Sequence, residues 1–283
     1  MERRLIVPVD GSDRSWVAVD TAIELARRTE ATVHVVEVVF APRDRSSALQ
    51  RLERGIEART PTDIEIQLDV VTSGDFAARS ILELVADRPG SVIVMASHGR
   101  GRAAAIVGST TEDVLRGTTG PIVVVGPQVT TADFTGPVVV AVDGSAESET
   151  ALPVAAAWAR ELAASTWVVN ATDPSDQPPP DSGVIDSAYA AGLARDLSLV
   201  SDHPVEFDVL HATDAATAVP EFAEQLGASL MVASSHGRTG LARLTMGSVV
   251  SGFVRRATCP VLVVRIRDAD ETKRSGDATT WAP

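Results

Sequence analysis

A single cysteine, Cys259, stands in a chain of 283 residues, and one cysteine closes no internal disulfide and builds no cysteine-cluster metal site. It precedes Pro260 and an apolar run, the setting of a small core or strand-edge residue rather than a reactive thiol. Positive charge is in deficit too: 25 Lys and Arg face 38 Asp and Glu, a formal net charge of −13. Such a balance argues against a nucleic acid or an anionic membrane surface as the main partner. No apolar run approaches the ~20 residues of a spanning helix, and Met1-Glu2-Arg3-Arg4 leads into a strand-like segment rather than a signal-peptide core. Also missing are a Walker A Lys-Ser/Thr, an adenylating Ser-Gly-Gly loop and a Gly-x-Ser-x-Gly elbow, so no catalytic machinery is recognisable. These absences describe a cytoplasmic chain in a reducing compartment. It needs no covalent staple, since a chain this size buries roughly 70–75% of its unfolded surface.

What the chain does contain, it contains twice. Leu5-Ile6-Val7-Pro8-Val9-Asp10-Gly11-Ser12 returns as Val138-Val139-Val140-Ala141-Val142-Asp143-Gly144-Ser145, at an offset of 133. Ser97-His98-Gly99-Arg100 returns as Ser235-His236-Gly237-Arg238 at 138, and Gly120-Pro121-Ile122-Val123-Val124-Val125 as Cys259-Pro260-Val261-Leu262-Val263-Val264 at 139. A repeat this long means two domains, expected at 1–127 and 137–267, with a linker at 128–136 and a disordered tail at 268–283. Short apolar runs alternate with helical patterns in each half, the mark of βαβ units around a parallel sheet covered on both faces. Strands are expected near 5–10, 32–39, 64–70, 92–96 and 122–125, with helices near 15–28, 45–59, 75–87 and 109–116. The second half repeats them with strands near 138–143, 166–171, 205–210, 230–233 and 261–264, and helices near 147–163, 186–201, 215–225 and 248–256. The fold class is α/β: two tandem doubly wound domains, each a five-stranded mostly parallel sheet with helices on both faces. A ligand then belongs outside the carboxyl ends of the strands, where the strand order reverses.

Each half carries a strand, a small-residue loop and a helix entrance at that place. Ala96, Ser97, His98 and Gly99 lead to Gly108-Ser109, and Ser234, Ser235, His236 and Gly237 lead to Gly247-Ser248. Unpaired N–H groups and the macrodipole make a helix N-terminus receptive to phosphate, and glycine lets an anion come close. The plainer reading is that the serines only cap their helices, and that Asp10 and Asp143 cap the Asp-Gly-Ser turn. For His98 and His236 no partner carboxylate is fixed by sequence, so loop packing or a contact to phosphate or ribose is expected before acid–base catalysis. Arg100, Arg102, Arg238 and Arg243 could neutralise phosphate or simply be solvated.

With these residues in place, the chain resembles the universal stress protein family in its tandem form, over nearly its whole length outside linker and tail. Nucleotide-binding members carry Gly, two residues, Gly, nine residues, Gly, then Ser or Thr after the fourth strand. Here Gly237, the nine residues Arg238 to Met246, and Gly247-Ser248 fit, with Ser234 in place of the first Gly. In the first half Ala96 replaces that Gly, and only eight residues separate Gly99 from Gly108-Ser109. The resemblance implies a Rossmann-like fold of the adenine nucleotide alpha hydrolase type and ATP as ligand, with Mg²⁺ a candidate companion of the phosphates. It places Asp10 and Asp143 near the adenosine, and Pro8 and Val38 against the adenine, where the second half has Ala141 and Ala171. By this reading the first half keeps the better base pocket and the second the better phosphate loop.

The resemblance also implies that the last strands pair within the chain as a pseudo-dimer; both begin with proline, which suits edge strands. Further assembly into a homodimer, and an unidentified protein partner, stay open. The expected function is an ATP-binding stress-response regulatory module. A non-nucleotide interaction module of the same fold is the alternative, and a slow ATPase the third reading.

Overall fold

A computed structural model of the chain describes residues 3–59, 63–98, 107–118, 120–176, 187–235 and 246–265. In the first half β1 (Arg4–Val9), α1 (Asp13–Thr29), β2 (Thr32–Val39), α2 (Arg45–Glu57), β3 (Ile66–Thr72), α3 (Ala77–Ala86), β4 (Ser91–Ala96), α4 (Ser109–Gly117) and β5 (Ile122–Val125) alternate. The second half runs β6 (Val138–Val142), α5 (Ala146–Glu149), α6 (Ala151–Leu162), β7 (Thr166–Thr172), α7 (Ala188–Ser198), β8 (Val205–His211), α8 (Ala215–Leu226), β9 (Leu230–Ser234), α9 (Ser248–Arg256) and β10 (Val261–Val264). Element types match the sequence reading, with ends shifted by a few residues and one division. The helix expected at 147–163 is split into α5 and α6. Pro153 has no N–H to offer the carbonyl of Glu149, and its ring crowds that carbonyl.

The strands form one ten-stranded sheet of order β3-β2-β1-β4-β5-β10-β9-β6-β7-β8. All neighbours within a half are parallel, and β5 meets β10 antiparallel, with Leu262 opposite Val123. Strand order therefore reverses between β1 and β4, and again between β6 and β9. Alternate side chains feed two cores. Leu5, Val7, Val94 and Val123 join α1 and α2, while Val140, Val232 and Leu262 join α6 and α7 on the same face. Ile93, Met95 and Val124 with α3 and α4, and Met231, Ala233 and Val263 with α8 and α9, fill the other. Both cores cross from one half to the other without interruption.

The expected edge strands are edges only of their own halves. Each has taken the other as partner, so the outer edges of the whole sheet are β3 and β8. Further ties close the seam. Arg265, just past β10, donates to the Thr118 carbonyl that ends α4 (3.0 Å). Arg3 pairs with Glu161 of α6 through two hydrogen bonds. A Cβ on Gly126 would stand 2.0 Å from the carbonyl oxygen of Val254 in α9, an approach that only glycine permits. The connection near 128–136, read from its composition as a bare linker, is packed: Val129 and Phe134 are fully buried in the first core. The tail at 268–283 lies outside the described residues.

Candidate functional site

The Asp-Gly-Ser turns come first because they fix the carboxylates. Gly11 and Gly144 hold positive φ, 78° and 86°, a conformation that L side chains resist. The turn folds the chain back so that Asp10 Oδ1 accepts from Ser12 N (3.0 Å) and Ser12 Oγ (2.6 Å). Asp143 does the same for Ser145, at 3.0 and 2.5 Å. The helix caps themselves are Ser12 and Ser145, each accepting an N–H from the first turn. The aspartates support the caps and are not the caps.

The expectation that Ser109 and Ser248 are N-caps is corrected. Gly108 and Gly247 occupy the N-cap positions of α4 and α9, neither helix has a side-chain capping bond, and the serines are first helical residues, exposed to solvent. A short tether sets each entrance. Gly108 N–H donates to the Ser97 carbonyl (2.7 Å) and Gly247 N–H to that of Ser235 (2.9 Å). Ser97 and Ser235 in turn donate their N–H to Val125 and Val264, at 2.9 and 2.8 Å. Helix entrance, loop start and last strand thus hang together in each half.

In the second half five predicted residues line one cavity of about 240 Å³: Asp143, Ala171, Ser234, Gly247 and Ser248. Ala141, Ala215, Val219, Ala233 and Phe253 give it apolar walls, and Ser148 and Ser235 add hydroxyls. Of these, Ser148, Ala215, Val219 and Phe253 went unnamed by sequence reasoning. Their positions in α5, α8 and α9 come from tertiary packing, and no local motif marks them. The α9 first turn carries no acidic residue and its last turn carries Arg255 and Arg256, so no carboxylate of the helix's own first turn opposes an anion at its entrance. His236 and Gly237 lie outside the described residues.

In the first half Pro8 and Val38 lie half-buried on neighbouring strands, with Pro8 in register with Val36 and Val38 two residues further along. Asp10 follows β1. Ala96 ends β4, and its carbonyl accepts from Thr111 Oγ1 of α4 at 3.0 Å. His98 Nδ1 lies 3.0 Å from Ser97 Oγ, a contact that helps orient the ring. Gly99 lies outside the described residues. Here the α4 first turn does carry an acid, Glu112, paired with Arg116 at 3.7 Å.

The fold and the second-half cavity together define a duplicated doubly wound α/β protein with a helix entrance at each switch point. A family model described as "Universal stress protein family" matches residues 1–126 and again 135–265. The chain belongs to the universal stress protein family, in tandem form. A universal stress protein of Mycolicibacterium smegmatis is 30% identical over 200 residues, which covers 67% of this chain and 66%, just under two thirds, of that relative's length. One of Mycobacterium tuberculosis is 27% identical over 300 residues, covering 93% of this chain and 95% of the relative. Among solved structures, a universal stress protein from Archaeoglobus fulgidus superposes with a TM-score of 0.68 over 93% of this chain and 98% of that chain, at 16% identity. One from Pseudomonas aeruginosa gives 0.65 over 93% of each, at 19% identity. At these identities the structural likeness speaks for the fold alone.

Proposed function

We propose that the chain binds an adenine nucleotide, ATP with Mg²⁺ on its phosphates, and acts as a cytoplasmic stress-response regulatory module rather than as a catalyst. The observation that carries this reading is the second-half cavity, where an apolar slot, a carboxylate and an uncapped helix entrance converge. The slot suits a flat base, Asp143 suits ribose hydroxyls, and the orphan N–H groups of α9 suit phosphate. Neither Gly108 nor Gly247 is demanded by its dihedrals, at φ −69° and −59°. An added Cβ there would meet only ordinary contacts, 3.4 and 3.5 Å from the nearest carbonyl oxygen. What glycine leaves open at both is space in front of the first-turn N–H groups. Among the described residues no His, Cys, Asp or Glu cluster converges as a metal site, so Mg²⁺ would arrive with the phosphates.

Residues 1–127 and 137–267 would each carry one such cleft. A bound nucleotide would alter partner binding only by its differential affinity for the two states of the protein. Calorimetric titration of ATP–Mg²⁺ into the wild type and into Ala171→Phe, which fills the slot, tests the reading. Two sites are expected in the wild type and one in the variant, with no product formed. Absence of heat in the wild type overturns nucleotide binding and leaves an interaction module of the same fold.

A further inference from the structure

Two phenylalanines break local rules on one rim of the first half. Phe40 follows β2 and is 61% exposed, and Phe76 is 71% exposed. Phe76 is also the N-cap of α3 and makes no capping bond, at a position where Ser, Asp or Asn would satisfy an orphan N–H. The second half keeps the rules at the same two places. Val9 stands opposite Glu37 as Val142 stands opposite Asn170, which sets Phe40 against Asp173. The N-cap of α8 is Asp214, which accepts from Ala216 N (3.0 Å) and Thr217 Oγ1 (2.6 Å).

Both residues follow the carboxyl ends of their strands, β2 and β3, the end of the strands at which the cavity opens in the second half. Phe40 lies two residues past Val38, and Ser73 N–H donates to the Val39 carbonyl (2.8 Å) where the chain turns towards α3. Phe76 immediately precedes Ala77, whose counterpart Ala215 lines the second-half cavity.

We propose that Phe40 and Phe76 form the outer wall of the first-half site and stack on the base of its ligand, selecting a planar aromatic head group over a bare phosphate. The proposal rests on the nucleotide reading and adds the residues that set base selectivity. An exposed ring gains when a flat aromatic ligand covers it, and local rules broken without a structural return mark functional positions. The second half carries Asp173 and Asp214 at these two positions, and its described site is built on the apolar slot.

The test uses the full chain carrying Ala171→Phe, so that the first half alone is read. ATP affinity is measured by calorimetry with Phe40→Ser and Phe76→Ser together, and again with Phe40→Tyr and Phe76→Tyr. Serine should weaken ATP binding by about tenfold, given typical base-stacking energies, while the melting temperature of the free protein holds or rises because Ser caps α3. Tyrosine should restore binding to within about twofold of the parent, since it keeps the stacking face. Unchanged affinity in the serine variant, or equal weakening in the tyrosine variant, overturns the proposal. So does loss of all ATP binding in Ala171→Phe when the wild type binds. Failure of the wild type itself to bind ATP sinks the nucleotide reading first.

Discussion

Cys259 is 7% exposed, and burial pushes its thiol up to about 12. The thiolate, the only reactive form, is then about one part in ten thousand at pH 8. Iodoacetamide at that pH should leave the native protein unmodified and label it fully after denaturation; native labelling at the rate of a free thiol would contradict this. Residue by residue, the sequence was most informative where a side chain acts through its own neighbourhood. Asp143, Ala171, Ser234, Gly247 and Ser248 were named from the repeat and the family pattern, and they line one cavity. The capping roles were misplaced by two residues at the Asp-Gly-Ser turns and by one at the Gly-Ser entrances, since both motifs look like caps until the dihedrals separate them. Phe40 and Phe76 were missed because exposure is invisible in a string of letters. Setting the halves side by side would have flagged them, as phenylalanine against aspartate.

At the level of elements, the connection between the halves departs furthest from its composition. Largely polar, it has no periodicity to announce a buried anchor, yet Phe134 is fully enclosed and holds a left-handed backbone, φ 50°. Removing a buried aromatic costs its transfer energy plus a cavity. Phe134→Ala should lower the free energy of unfolding by about 3–5 kcal/mol, measured by urea denaturation; a loss below about 1 kcal/mol, the size of a surface change, would mean the connection is a mere tether. The α5–α6 division follows similar logic. Apolar periodicity runs through 147–163 and suggests one helix, and the competing term is the missing N–H of Pro153. The central strands β4, β5, β6, β9 and β10 were legible almost to their ends, because both of their faces are buried and nearly every residue had to be apolar.

For the molecule as a whole, the ion pair between Arg3 and Glu161 joins the residue just before β1 of one half to α6 of the other. The hydrogen bonds from Arg3 hold the Glu161 carboxyl below its ordinary value of 4.5. A depressed carboxylate adds stability that is fully present above the unfolded value and is lost as pH falls through the lower folded one. Because Arg3 is partly exposed, solvent screening limits the pair to about 0.5–1 kcal/mol. Glu161→Gln should show that deficit at pH 7 and converge with the wild type as acid protonates the carboxyl, followed by thermal melts from pH 7 to 3. A deficit that persists at pH 3 would assign the loss to packing rather than charge.

The pairing of β5 with β10 spends both inner edges of the sheet on each other. Two separate chains joined by such strands would associate and part according to how much of each is present. Here the partners are covalently tethered through residues 126–137, and a short tether holds them at an effective concentration of about millimolar however scarce the molecule becomes. The seam is therefore a first-order property of a single chain. Dilution cannot open it, and a cell holding a handful of copies has the same fraction of joined halves as one holding thousands.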